Sequence, residues 1–460
     1  MKKIFLLILL LLVFFYFSSC SLIQILFLDA SANCYQNYKN AFISSYGSYF
    51  LNTSGGNVVS SYAYDNRVYV AMIDSSGKLQ IYVLTDREDE ESDEDSINVD
   101  LLDLYNPNLS SYDLFIYETG IVHDEVYYIE GFKPILKVEK NTLYLYTLKK
   151  ELSQIKLHKV TFSLDYDVSS TGKAWYCEQT DDQYLADFTS NGVYQNFILY
   201  DFAVKIACVE PGLDNLSFVL FLYDLQTKTS SSITISLPVN FLVQNTTSSF
   251  YLNYSCIEDG QGNIYIALVS YNIDSSDYFL VYKINEKNLT NTLLYNSYSD
   301  SLKVPSDYLF PGIFFYKESS TNQGPYFCWN YLDPVTNGST FAISKIENNE
   351  RINIYEKAYD NDNYMHYISV KQESFQGIFT SRILLALDIY DNITTTDICH
   401  IGLFDMKGFS FDEVLNFSAS ASANCYDIPE IVNCDGFSFI QTHYDLPLYN
   451  IGYFYYKFRN

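Results

Sequence analysis

Side chains able to do chemistry are plentiful in this chain, but few stand in the spacings that chemistry needs. The five histidines, His123, His158, His366, His400 and His443, lie far apart. No H-E-x-x-H run or paired-histidine spacing offers a metal its ligands. A G-x-S-x-G nucleophile elbow, a phosphate-binding loop and a dinucleotide fingerprint are also missing. A triad assembled from distant residues stays open, because triads are defined by geometry rather than sequence order. Among 55 acidic residues a carboxylate pair suited to glycoside hydrolysis is easy to find, so none can be nominated. "TDREDEESDEDS" (Thr85–Ser96) and "YDNDNY" (Tyr359–Tyr364) carry oxygen ligands of the kind calcium takes, yet neither has the glycine-containing EF-hand loop. Self-repulsion predicts a solvated connection between strands for the first. No catalytic residue, metal site or cofactor is assigned.

The charge balance narrows the partners. Against the 55 acidic residues stand 28 basic ones, a net charge of −27 over 460 residues. Such a surface repels phosphate backbones and anionic lipid headgroups, so nucleic acid is not an expected partner. The 45 tyrosines and 33 phenylalanines, with Ile, Val and Thr, favour strands. Beyond the N-terminal apolar run no segment shows a capped, sustained 3.6-residue apolar stripe. The expected fold class is all-β, with little helix. Tyrosine joins a broad apolar face to a hydroxyl, which suits both sheet covering and recognition of a protein or a glycan.

The N-terminus reads as an export signal. Lys2 and Lys3 precede "IFLLILLLLVFFYF" (Ile4–Phe17), an uncharged run of signal-peptide length. Phe17-Ser18-Ser19-Cys20 then resembles the lipobox of bacterial lipoproteins, with Phe17 where leucine is usual. That resemblance, confined to about the first twenty residues, implies cleavage before Cys20 and lipidation of that cysteine. Two other readings stay open. Ala30-Ser31-Ala32 is an A-x-A-like site that would leave Asn33 as the new terminus, and an uncleaved anchor could run on through Leu28. All three put the body of the protein outside the cytosol, at the cell envelope or secreted, and touching a membrane only through its N-terminus. The expected organisation is a signal peptide over 1–19, a lipid anchor and tether over 20–32, and one β-domain over 33–460.

Cysteine usage agrees with export. Apart from Cys20 there are eight, Cys34, Cys177, Cys208, Cys256, Cys328, Cys399, Cys425 and Cys434, an even number compatible with disulfides or with buried thiols. "SANCY" occurs at Ser31–Tyr35 and again at Ser422–Tyr426, which pairs Cys34 with Cys425 as a candidate disulfide near the two ends.

Through the chain the dominant phrase is strand, short polar turn, strand. "RVYVAMIDSSGKLQIYVLTD" (Arg67–Asp86), "SFVLFLYDLQTKTSSSITISL" (Ser217–Leu237), "GNIYIALVSYNIDSSDYFLVYKIN" (Gly262–Asn285), "PYFCWNYLDPVTNGSTFAISKIE" (Pro325–Glu347) and "RILLALDIYDNITTTDICHIGLFD" (Arg382–Asp405) are hairpins by this rule. Their recurrence approaches the spacing of four-stranded propeller blades. "EDGQGNIYIALV" (Glu258–Val269) resembles the loop-and-strand phrase of NHL-type propeller repeats, and "HDEVYYIEG" (His123–Gly131) echoes it. The resemblance implies a β-propeller of about six to eight four-stranded blades; tandem β-sandwiches are the alternative. In a closed ring a terminal strand would complete the last blade, bringing the two SANCY segments together.

Sialidases are a natural propeller comparison, but they need an arginine cluster and repeated Asp-box turns. Here Arg67, Arg87, Arg351, Arg382 and Arg459 are the only arginines, and no S-x-D-x-G-x-T-W box occurs. The functional expectation is a non-catalytic binding or scaffolding module that presents loops to a protein or glycan. A secreted propeller-fold glycoside hydrolase is the alternative.

Overall fold

The computed structural model describes residues 47–52, 57–64, 67–73, 79–86, 97–105, 134–151, 154–169, 172–188, 199–212, 214–243, 254–274, 276–305, 311–318, 321–335, 338–359, 363–375, 378–391, 396–418, 430–434, 437–444 and 450–457. Almost all of these are strand. The one helical element among them is a 3-10 turn, Ser297–Asp300, and no described helix is long and apolar enough to cross a membrane. One compact unit, Gly47–Tyr455, contains the sheets. The other, Met1–Tyr46 with Tyr456–Asn460, lies almost wholly outside the described residues.

The strands form seven antiparallel four-stranded units in chain order. Strand β1 (Gly47–Asn52) is set aside for the last unit. Sheet I holds β2 (Asn57–Tyr64), β3 (Arg67–Ile73), β4 (Leu79–Asp86) and β5 (Ile97–Tyr105). Sheet II holds β6 (Ile135–Glu139), β7 (Thr142–Glu151), β8 (Gln154–Ser169) and β9 (Gly172–Phe188). Sheet III comprises β10 (Tyr200–Asp201), β11 (Lys205–Pro211), β12 (Ser217–Asp224) and β13 (Thr229–Ser236). In sheet IV an interrupted first strand, β14 (Phe241–Leu242) and β15 (Tyr254–Glu258), precedes β16 (Asn263–Asn272), β17 (Ser276–Asn285) and β18 (Thr290–Asn296). Sheet V runs β19 (Gly312–Glu318), β20 (Thr321–Leu332), β21 (Ser339–Glu347), β22 (Glu350–Ala358). Sheet VI runs β23 (Asn363–Phe375), β24 (Ile378–Asp391), β25 (Thr396–Asp405), β26 (Ser410–Ser418). Sheet VII joins β27 (Glu430–Cys434), β28 (Phe437–Tyr444) and β29 (Asn450–Lys457) to β1, whose Gly47–Asn52 pairs with Tyr455–Asn450.

Contacts between first strands arrange these sheets as a ring: β2 meets β6, β15 meets β19, β19 meets β23, β23 meets β27, and β27 returns to β2. At the two remaining junctions the first strands are linked by polar side chains. Lys137 of β6 pairs with Asp201 of β10 at 2.8 Å, and the Tyr200 hydroxyl donates to the Tyr254 carbonyl at 3.1 Å. This is a seven-bladed β-propeller, within the expected six to eight, and its last blade is completed by the first strand, as the ring-closure reading required. Tandem sandwiches are set aside. The SANCY segments, with Cys34 and Cys425, lie outside the described residues, as do Cys20 and the HDEVYYIEG phrase.

Burial explains which residues occupy which strand. Sheets that radiate from an axis are covered on both faces near it and splay apart at the rim, so middle strands should be apolar throughout and outer ones should alternate. In sheet III, β11 and β12 are buried nearly end to end, whereas "TSSSITIS" of β13 buries only Ile233 and Ile235. Sheet IV repeats the contrast between β16 and β18. Three apolar layers result among the described residues. One joins sheets I, II and III, one sheets III and IV, and one runs across sheets IV, V and VI with Trp329 stacked on Phe279 at 4.8 Å.

The long β8–β9 hairpin adds a departure from the regular pattern. Its far half bends toward sheet I, where Tyr176–Glu178 pair in parallel with Asp103–Tyr105 at the end of β5. The outer edges of the first two blades are thereby joined, which covers two edge strands at once.

Two substitutions test this packing by chemical denaturation. A Cβ on Gly402 would lie 2.2 Å from the Phe411 ring, so Gly402→Ala is expected to lose about 1–3 kcal/mol, and adding Phe411→Leu should recover part of it. Gln372 accepts from the Lys317 amide at 2.7 Å and donates to its carbonyl at 2.9 Å. Gln372→Ala strips both bonds from the edge of β19 and should also cost about 1–3 kcal/mol.

Candidate functional site

Antiparallel four-stranded units put two kinds of connection on opposite faces of the ring. One face carries the turns between first and second strands and between third and fourth. The other carries the second-to-third turns and the links from each fourth strand to the next sheet. On this second face the loops of sheets III, IV and V are laced by backbone hydrogen bonds. Leu237 N donates to Leu216 O at 2.9 Å, Val243 N to Asn215 O at 2.9 Å, and Ile273 N to Asn240 O at 3.1 Å. Farther round, Val304 N donates to Asp277 O and Leu332 N to Lys303 O, both at 2.8 Å.

That belt exposes large apolar side chains. Val239 is 87% exposed, Ile273 74%, Val335 90%, and Leu216 and Tyr298 about half. None of these belongs to the buried clusters of the core. Tyr298 is held edge-on by Phe241 and Tyr278 at 5.9 and 5.1 Å between ring centres. Aspartates alternate with the apolar residues and shape the turns. Asp214 accepts from Leu216 N and Ser217 Oγ, Asp274 from Ser276 N and the Tyr278 hydroxyl, Asp300 from the Tyr295 hydroxyl, and Asp333 from Val335 N. The Leu216 amide and Ser217 hydroxyl hold the Asp214 carboxyl below its ordinary range.

The opposite face is built differently. Three of its four described third-to-fourth turns share a pattern: "DLQTKT" (Asp224–Thr229), "NEKNLT" (Asn285–Thr290) and "DMKGFS" (Asp405–Ser410) each open on an Asp or Asn that caps two following amides. Each also places a left-handed residue, Lys228, Leu289 or Phe409, just before the returning strand. Asp259 of the NHL-like phrase caps its own turn through Gln261 N and Asn263 N, and Gly260 and Gly262 supply φ of 73° and 89°. Nearby, Lys205 is ion-paired with Glu286 and lies 3.9 Å from Glu258. Burial, then the charge of Glu286, raises the Glu258 carboxyl. The lysine occupies the position a reacting atom would need between two carboxylates, so this cluster ties sheets III and IV together rather than forming an acid/base pair.

The residues singled out by sequence fall as follows. Cys208, Cys256 and Cys328 are buried thiols, and burial pushes all three well above the ordinary thiol range. Three of the eight cysteines are therefore not in disulfides, which for these three is the buried-thiol alternative. An apolar interior is where a small thiol packs well. Cys20 and the Cys34–Cys425 pair lie outside the described residues, as do His123, Arg87, Arg459, most of the acidic run and Asp360–Asp362. Among the described residues no three His, Cys, Asp or Glu side chains are grouped to hold a metal.

Sequence reasoning missed two pairings and one unpartnered acid. His158 Nδ1 lies 2.9 Å from Asp182 Oδ1, and its cross-strand neighbour is Thr147, a buried threonine. All three sit among β7, β8 and β9, with Thr147 closed off from any substrate. Arg351 packs 5.4 Å from Trp329 and 5.1 Å from Tyr331, with Glu356 at 3.6 Å. It is engaged with aromatic rings and a carboxylate of its own sheet and is not a carboxylate clamp. Glu210 is buried on β11 with no hydrogen-bond partner for Oε1. Only for His158 was there a signal, the alternation that turns it to the same face as Val160 and Phe162.

Burial raises the Glu210 carboxyl to about 8. A carboxyl raised on folding binds its proton more tightly in the folded state, so its contribution is complete below about 4.5 and is lost as pH rises through about 8. Glu210→Gln should leave stability near pH 5 almost unchanged and raise it at pH 9 by a few kcal/mol, on the order set by linkage. Urea unfolding at the two pH values checks this.

No family model and no curated protein matches the sequence. Among solved structures, the β-propeller domain of the Trilobed protease from Pyrococcus furiosus has 6% identity and a TM-score of 0.43, covering 89% of this chain and 97% of that one. The WD40 domain of SCAP from fission yeast has 10% identity and a TM-score of 0.38, covering 90% and 98%. Trypanosoma rangeli sialidase has 8% identity and a TM-score of 0.35, and its match covers 88% of this chain and 55% of the sialidase chain. At these scores no argument passes from those proteins to this one. The propeller assignment rests on the strand pairing and the ring of contacts above.

Proposed function

We propose that this protein is a non-catalytic binding or scaffolding module, exported and held at the cell envelope by a lipid on Cys20, with 20–32 as its tether. The observation that carries the reading is the belt of exposed apolar side chains on one face, fastened by backbone hydrogen bonds between consecutive blades. Loops on a rigid scaffold are where propellers and other β-folds place recognition. A patch pre-organised in this way gives up little entropy when a partner seats on it.

The polar groups favour binding over hydrolysis. The carboxylates that cluster on the other face are bridged by Lys205, and Arg351 is committed to aromatic packing. A hydrolase would need two carboxyls converging on an open site.

Mass spectrometry of the mature protein made in a bacterial host, paired with an assay on aryl glycosides, tests both parts. The expected result is an acylated Cys20 at the N-terminus and no turnover above solvent hydrolysis. A free Asn33 would remove the tether, and glycoside turnover abolished by a single carboxylate-to-amide substitution would replace the module by the hydrolase.

A further inference from the structure

The apolar belt is also specific about what it can hold. Building on the binding reading, we infer that the face formed by Leu216, Val239, Ile273, Tyr298 and Val335 seats a cationic amphipathic polypeptide segment rather than a glycan. Four of these five side chains are aliphatic. Aliphatic groups gain from burying the apolar face of a peptide, whereas sugar rings are held by stacking on aromatic planes, and Tyr298 alone offers one. The half-buried Tyr298, locked between Phe241 and Tyr278, is the rigid anchor that such an interface favours.

Charge identifies the other half of the partner. On this face the described loops of sheets III to V carry Asp214, Asp274, Asp300 and Asp333, with Asp277 at the start of β17, against one loop cation, Lys303, whose ammonium donates to Ser276 Oγ at 2.7 Å. Asp214, Asp274 and Asp333 cap turns, and Asp300 accepts from the Tyr295 hydroxyl, which fixes the positions of these four carboxylates. A segment with Leu, Ile or Val on one side and Lys or Arg beside them meets both features, and the chain's net charge of −27 steers it inward. A second copy of this chain would set aspartate against aspartate, so self-association through this face is disfavoured.

The test uses the full mature chain and three labelled probes followed by fluorescence anisotropy: an amphipathic Lys/Leu peptide, its Glu/Leu counterpart and a chito-oligosaccharide. Variants Ile273→Ser and Val335→Ser remove exposed apolar groups. Asp300→Asn removes charge while keeping the acceptor for Tyr295, and Leu289→Ser is the control on the opposite face. Circular dichroism confirms that each folds. The Lys/Leu peptide is expected to bind, about tenfold more weakly to either serine variant and about twofold to fivefold more weakly to Asp300→Asn, with Leu289→Ser unchanged. Equal binding of the Glu/Leu peptide, or indifference to the serine variants, overturns the inference. Binding of the oligosaccharide without the Lys/Leu peptide also overturns it, while leaving the binding module intact. If no probe binds and aryl glycosides are turned over, both fall.

Discussion

The first strand of every blade has an open edge toward the axis, and its unpaired backbone groups must find partners. In a barrel the next strand would supply them; in a ring of separate sheets it cannot. Here the neighbouring blade provides side chains instead. Ser60 Oγ accepts from Leu136 N, the Tyr200 hydroxyl donates to Tyr254 O, Ser255 Oγ donates to Pro311 O, and Gln372 pairs with both backbone groups of Lys317. At the junction of sheets II and III the contact is the Lys137–Asp201 ion pair. Each seam fixes the angle between two blades, and the apolar layers between sheets can close-pack only at that angle.

From this radial arrangement the rest follows. Because the sheets diverge outward, middle strands are apolar on both faces and outer strands become polar, which frees the rim for charge. Polar groups trapped nearer the axis are costly unless paired, so Lys205 lies with Glu258 and Glu286, and Trp329 Nε1 donates to Ser344 Oγ. Glu210 is the departure. With Oε1 unpartnered, it adapts by holding its proton to higher pH rather than by finding a cation.

The two faces of the ring differ in what their turns must do. The third-to-fourth turns of sheets III, IV and VI are short hairpins whose Asx caps and left-handed residues satisfy their own backbone. The links on the other face cross from blade to blade and satisfy theirs by bonding to one another. A loop so constrained can hold valine and isoleucine in solvent without collapsing onto the core. That is why the candidate binding face lies there, even though both faces carry loops.

The hairpins were legible because their cause is local: alternation or continuous apolarity over a few residues, ended by Asp, Asn, Gly or Ser. "GNIYIALVSYNIDSSDYFLVYKIN" became β16 and β17, and the Asp-x-x-Gly-Asn phrase became a capped turn leading into a strand. Closure by a terminal strand was also foreseeable, since a ring must join its ends. The seams, the Arg351 packing, the His158–Asp182 contact and the exposed belt were not. Lys205 and Glu286 are 81 positions apart, and nothing in either local stretch marks the other. Sequence alone therefore determined the all-β class, the hairpins and the acidic surface, because each depends on neighbours along the chain or on composition. Tertiary structure decided the number of blades, the fate of the buried thiols and acids, and the face that exposes the apolar belt, because each depends on which distant strands the ring brings into register.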